Sequence, residues 1–128
     1  MNSHSAALLS AGLLGATVAL VHGVLTQKML VAPVEAHAAP ALGRPLRRLN
    51  AALLQFSTFV WFAGGISLAV AALGSDGPTR TVIGFLVGGS YLYGAIGNFW
   101  ALRTWHPGWV LYGLASTAIA YGLAGPPA

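Results

Sequence analysis

Four side chains in this sequence could act together: His22, Gln55, Asn98 and Tyr112, each set in a different apolar stretch. An imidazole can hydrogen-bond, or ligate a haem iron or a chlorophyll magnesium. An amide donates and accepts without titrating, and a phenol adds one more hydroxyl. Together they could line a polar pocket for a quinone ring, a lipid headgroup or a cofactor edge. They could also be glue between helices, at about 0.6–2 kcal/mol per contact. Glue is the expectation, with His22 bonded to Gln55, Asn98 or Tyr112 rather than to a metal. A bis-histidine haem would need a second histidine at the depth of His22. His106 comes nearest and falls in a predicted turn, while His4 and His37 fall outside the apolar stretches. Both carboxylates, Glu35 and Asp76, fall in predicted loops. The usual proton relay or cation-coupled transport site is therefore not in view. There is no cysteine, which excludes disulfides, thiolate chemistry and iron–sulfur sites. No Ser-His-Asp set, phosphate loop or metal-spaced cluster is visible. No catalytic residue, cofactor or metal is expected.

The elements that must position these residues follow from composition. The 128 residues are 56% hydrophobic and 6% charged, where soluble domains carry about 25% charged residues. The fold expected is all-α, an integral membrane four-helix bundle forming a single domain over 1–128. Helices are predicted over about 6–30, 49–73, 81–102 and 108–124, the first long enough to cross a ~30 Å core with some tilt and the last the shortest. The segment 32–48, with its prolines and arginines, reads as a loop. Gly74-Ser-Asp-Gly-Pro-Thr79 reads as a turn, and Gly125-Pro-Pro127 stops the last helix. Ala36-His37-Ala38 has the form of a signal-peptidase site. No basic region precedes the first apolar run, so that helix is expected to be retained.

Ala7, Ala11, Gly15, Ala19 and Gly23 recur every fourth residue and predict a smooth ridge for close helix contact. Gly84 and Gly88 form a GxxxG pattern on the third helix. Trp100, Trp105 and Trp109, with Arg103 among them, are the pattern of side chains anchored at a membrane interface. Lys28, Arg44, Arg47, Arg48 and Arg103 flank the first and third loops, and only Arg80 flanks the second. That bias puts loops one and three in the cytoplasm and both termini outside. On this map His22, Gln55, Asn98 and Tyr112 all lie roughly 6–12 Å in from the cytoplasmic ends of their helices. The net charge of +4 is explained by membrane orientation, and no nucleic acid partner is expected.

Three short motifs carry a resemblance. The first helix ends in His22-Gly-Val-Leu-Thr-Gln27, the second follows Arg44-Pro-Leu-Arg47-Arg48, and the last opens with His106-Pro-Gly-Trp109. The pattern resembles a family of small uncharacterised four-helix bacterial inner-membrane proteins, in which the first helix ends His-Ser-x-x-Gly-Glu and the second carries Trp-His. The resemblance implies the same fold and location, with no activity to carry over. Gln27 stands where that family has glutamate, and Gln55 stands near its second-helix histidine. A His-Glu-His site would be reduced here to His22 alone.

The leading functional expectation is a non-catalytic accessory subunit of a larger membrane complex, respiratory or photosynthetic. Its partners would be other membrane protein subunits and membrane lipids, one of them holding the Pro-Pro tail. The alternative is a binder or enzyme for a membrane-dissolved quinone, lipid or pigment, using the polar layer. Transport comes third, since half-helix breaks and buried charges are not evident.

Overall fold

The computed structural model describes residues 1–38, 43–75 and 77–125. Among these all regular structure is helical: α1 (Ser3–Thr26), a π-helical turn (Gln27–Val31), α2 (Ala32–Ala38), α3 (Arg44–Gly74), α4 (Gly77–Leu102) and α5 (Pro107–Leu123). α1, the π-turn and α2 run on as one rod, so the bundle has four rods. Three of them, Ser3–His37, Arg44–Gly74 and Gly77–Leu102, are long and apolar enough to cross a membrane. α5 has 17 residues and rises about 26 Å, just short of a ~30 Å hydrocarbon core. The helix predicted over 108–124 is therefore the shortest rod, at the lower end of the length that can cross a bilayer.

The segment 32–48 is largely helix, not the loop its composition predicts. Pro33 has no N–H to return to the carbonyl of Met29, and its ring would crowd that carbonyl in a regular α-helix. The π-turn directly upstream widens the backbone there, and the rod continues to Ala38. Pro45 does not break α3 but lies in its first turn, where a missing N–H costs nothing. Arg44, Arg47 and Arg48 are thus helical residues. Residues 39–42, Asp76 of the second turn and the tail 126–128 lie outside the described residues.

α1 packs most extensively on α3 and α5, and α4 packs on α5 and α3. The rods form a ring of antiparallel neighbours. Gly12 and Gly65 meet where α1 crosses α3, so closely that a Cβ on Gly12 would lie 2.6 Å from the Gly65 carbonyl. Ala11, Gly15, Ala19 and Gly23 are all buried in α1. Gly15 faces the ring of Tyr91, Gly84 receives Leu123 and Gly88 faces Ile119. The core between the rods includes Leu8, Trp61, Leu68, Tyr91, Tyr112 and Ile119. Beyond Thr26 the first rod rests chiefly on α3, so the π-turn, α2 and the start of α3 project past the α4–α5 turn. Lys28, Arg44, Arg47, Arg48 and Arg103 all lie at that end.

Candidate functional site

Each polar side chain of the site is set by its own helix. His106 caps α5: its Nδ1 accepts the Gly108 N–H at 3.0 Å, which leaves the ring proton on Nε2. Pro107 follows at the first helical position, with its backbone angle pre-set for the helix. This start puts Tyr112 in the second turn, inside the bundle, where it is 1% exposed. Its ring centroid lies 4.8 Å from that of Trp61 and 4.9 Å from that of Tyr91, both pairs tilted. Trp61 also meets the His22 ring at 4.9 Å. Tyr91 donates its hydroxyl to the Trp61 carbonyl at 3.1 Å. The Tyr112 hydroxyl has no hydrogen-bond partner among the described residues, although it is buried.

Beside Tyr112 is a cavity of about 290 Å³ between α1 and α5. His22, Asn98, His106 and Tyr112 contribute to its wall, and the rest is mostly apolar, including Leu14, Val18, Val21, Leu25 and Leu111. No Lys, Arg, Asp or Glu lines it. Asn98 donates to its own helix, at the Gly94 carbonyl, at 2.8 Å. That leaves its amide oxygen as an acceptor.

Three of the four side chains expected at one depth thus share one cavity, and Gln55 does not. Its amide donates to the Gly23 carbonyl at 3.1 Å and to Gln27 Oε1 at 3.3 Å. It accepts from Thr58 Oγ1 at 3.1 Å. Gln27 and Gln55, two of the departures from the resembled motifs, are therefore in contact and tie the first rod to α3. His22 is bonded to neither Gln55, Asn98 nor Tyr112. Its Nε2 lies 3.2 Å from Thr26 Oγ1 and 3.4 Å from Ser57 Oγ. Among the described residues there is no group of three or more His, Cys, Asp or Glu that could hold a metal ion.

The interface residues differ among themselves. Trp100 and Trp105 are 70% and 74% exposed. Trp109 is folded onto the turn, donating to the Thr104 carbonyl at 3.0 Å, with its ring edge-on to Phe99. Arg103 adopts φ 53°. Its N–H bonds the Phe99 carbonyl at 3.0 Å, a left-handed cap that closes α4.

At the opposite end, Arg80 is 4% exposed. It donates to the Gly122 carbonyl at 2.7 Å and to Ser5 Oγ at 3.3 Å. It reads in the sequence as a loop charge. Arg80, Gly84, Val87 and Tyr91 nevertheless recur at helical spacing, and all four are buried. That period was the available signal. His4 stacks on Tyr121 at 4.5 Å and its Nδ1 lies 2.9 Å from the Tyr121 carbonyl, so both ends of the bundle's chain meet here.

No family model matches the chain, and no curated protein or solved structure does either. What the site can do has to be argued from its geometry.

Proposed function

We propose that this chain is a multi-pass protein of a bacterial inner membrane that binds a small membrane-dissolved molecule between α1 and α5. The observation that carries the reading is the α1–α5 cavity of about 290 Å³, whose mostly apolar wall includes the polar residues His22, Asn98 and His106. A concave apolar site with a few polar groups suits a small apolar molecule that carries hydrogen-bonding groups. Exposed Phe59, Val70, Phe85 and Leu86, each more than 60% exposed, suit contact with lipid chains rather than water. The five cations at the projecting end support a cytoplasmic position for that end, with both termini outside. The groups in the cavity wall bind rather than catalyse: they can donate and accept hydrogen bonds, and no activated nucleophile is among them.

The test is purification from native membranes in mild detergent, followed by solvent extraction and mass spectrometry. One lipophilic compound should be retained near one per chain. It should be lost in Val21→Trp, which places an indole at the cavity wall. Recovery of bulk lipid only, equally in both proteins, would overturn the proposal. For the topology, a reporter fused at the C-terminus should read as extracytoplasmic, and a cytoplasmic signal would reverse the map.

A second reading, the accessory subunit of a respiratory or photosynthetic complex, is favoured by the outer face of α4. Tyr93 is 79% exposed near the middle of that helix, and nothing stands within 4 Å of a Cβ at Gly89 or Gly97, one turn to either side. A transmembrane helix of another subunit could approach there and accept the tyrosine hydroxyl. Affinity purification should then recover that subunit with the wild type and lose it with Gly97→Leu. A lone species of the chain's own mass would count against it.

A further inference from the structure

The rods differ in length, and the excess lies at one end. By rise per residue the first rod, Ser3–His37, measures about 52 Å and α3 about 46 Å, against about 39 Å for α4 and 26 Å for α5. At one end the rods are level, because His4 stacks on Tyr121 and Arg80 reaches both Ser5 and Gly122. The surplus of the first rod and α3 therefore stands beyond the α4–α5 turn. It carries Lys28, Arg44, Arg47 and Arg48, with Arg103 at the turn itself. These cations share that end with a single carboxylate among the described residues, Glu35. Among the described residues no ion pair joins Glu35 to any of them.

Large apolar side chains stand among the cations. Met29 and Leu30, next to Lys28, are 68% and 49% exposed, and Leu46 and Leu49, on either side of Arg47 and Arg48, are 55% and 54% exposed. A soluble polyanion would answer the charges and leave these side chains in water. A bilayer surface offers phosphates to the one and acyl chains to the other. Depth agrees with such a surface. Lys28 and Arg103 both lie roughly 8–9 Å beyond the level of His22 and Asn98, by rise per residue. Gln55 bonds Gln27, and counting back along α3 from that contact puts Arg48 roughly 10 Å further out. Long cationic side chains reach along the rod axis, so both tiers can meet one phosphate layer. We propose that this end binds anionic phospholipid of its own leaflet, with Lys28, Arg44 and Arg48 on the phosphates and the neighbouring leucines against the chains. This rests on the membrane-embedded reading above and is independent of what the α1–α5 cavity holds.

The test uses the full chain in phosphatidylcholine nanodiscs with a trace of spin-labelled phosphatidylglycerol or spin-labelled phosphatidylcholine. The fraction of label immobilised by the protein is read by electron paramagnetic resonance. Phosphatidylglycerol should be preferred at least about fivefold at low salt, the surface attraction of one cation, and the preference should shrink as salt rises. Replacing Lys28, Arg44 and Arg48 together by Gln should abolish it, with helical circular dichroism unchanged because glutamine is a good helix former. Arg44→Lys with Arg48→Lys keeps the charges and should keep the preference. Equal immobilisation of both labels by the wild type, or an undiminished preference in the triple glutamine variant, overturns the proposal. Displacement of the anionic label by millimolar glycerol phosphate or hexaglutamate makes the occupant a soluble anion and overturns the lipid assignment. Val21→Trp alters only the cavity wall and should leave the preference intact. A preference lost in that variant places the lipid in the cavity and overturns this site. A preference that persists in a chain retaining no extractable compound supports this site and overturns only the cavity binding proposed above. Failure of the chain to enter nanodiscs overturns the membrane reading and this inference together.

Discussion

The hydroxyl of Tyr91 donates to the main-chain carbonyl of Trp61, and the same phenol occupies the notch left by Gly15. One side chain on α4 thereby touches both α1 and α3. Gly15→Ala should destabilise the bundle by about 1–3 kcal/mol, since a methyl group would overlap the ring. Tyr91→Leu should remove most of that penalty when combined with it, giving a favourable coupling term. Unfolding in a denaturing-detergent titration, followed by circular dichroism, measures both. Additive effects would show that the notch and the ring are independent.

Glycines on opposite faces should respond with opposite signs. A Cβ on Gly65 would meet the Gly12 carbonyl at 2.6 Å, and neither backbone can step aside without separating α1 from α3. Gly65→Ala should therefore cost more than about 1 kcal/mol. Gly89 has open space around it, and Gly89→Ala should stabilise by about 0.5–1 kcal/mol through helix propensity. The same titration decides it, with Gly89→Ala also checked for loss of any partner.

Arg80 holds the end of α5 to the start of α1 through Gly122 and Ser5. Arg80→Met keeps most of the apolar stem and loses the charge-assisted bonds, at about 1.5–3 kcal/mol. Arg80→Lys should be intermediate, because an ammonium cannot reproduce the forked geometry. Proteolysis near the N-terminus should accelerate in the same order, and equal rates in all three proteins would remove Arg80 from the tie.

Arg103 is a left-handed residue that is not glycine. Arg103→Val should cost more than about 1 kcal/mol, since a β-branched side chain is a poor fit to that conformation. Arg103→Gly should lie within about half a kcal/mol of wild type. It relieves the backbone but gives up the bond from Nε to the Trp100 carbonyl at 2.9 Å and a cation at a helix C-terminus.

His22 is placed by Thr26 and Ser57 rather than by its expected partners. Ser57 also has the Leu54 carbonyl at 3.4 Å, so it is not orphaned when the imidazole is lost. His22→Leu should cost about 1 kcal/mol and His22→Gln less. A visible absorption band in the purified protein that disappears in His22→Gln would make the histidine a haem or pigment ligand instead.

Rise per residue explains why His22, Asn98 and Tyr112 can be assigned one depth from the sequence and do line one cavity. Depth along a helix says nothing about rotation around it, which is why Gln55 shares the level and faces another way. Arg80 is misread for a related reason: proximity to a Gly-Pro turn outweighs the helical spacing that links it to Gly84, Val87 and Tyr91. Proline and arginine composition hides the helical character of 32–48, because a π-turn and a first-turn position both tolerate proline. The Tyr112 hydroxyl is legible only in three dimensions, since its lack of a partner depends on where Trp61, Tyr91 and Asn98 point.

α5 serves both ends of the bundle: Tyr112 lines the cavity at one end, and the Gly122 carbonyl receives Arg80 at the other. Undocking of this one rod would open the cavity and uncover the Arg80 guanidinium together, so the shortest helix is a latch on both.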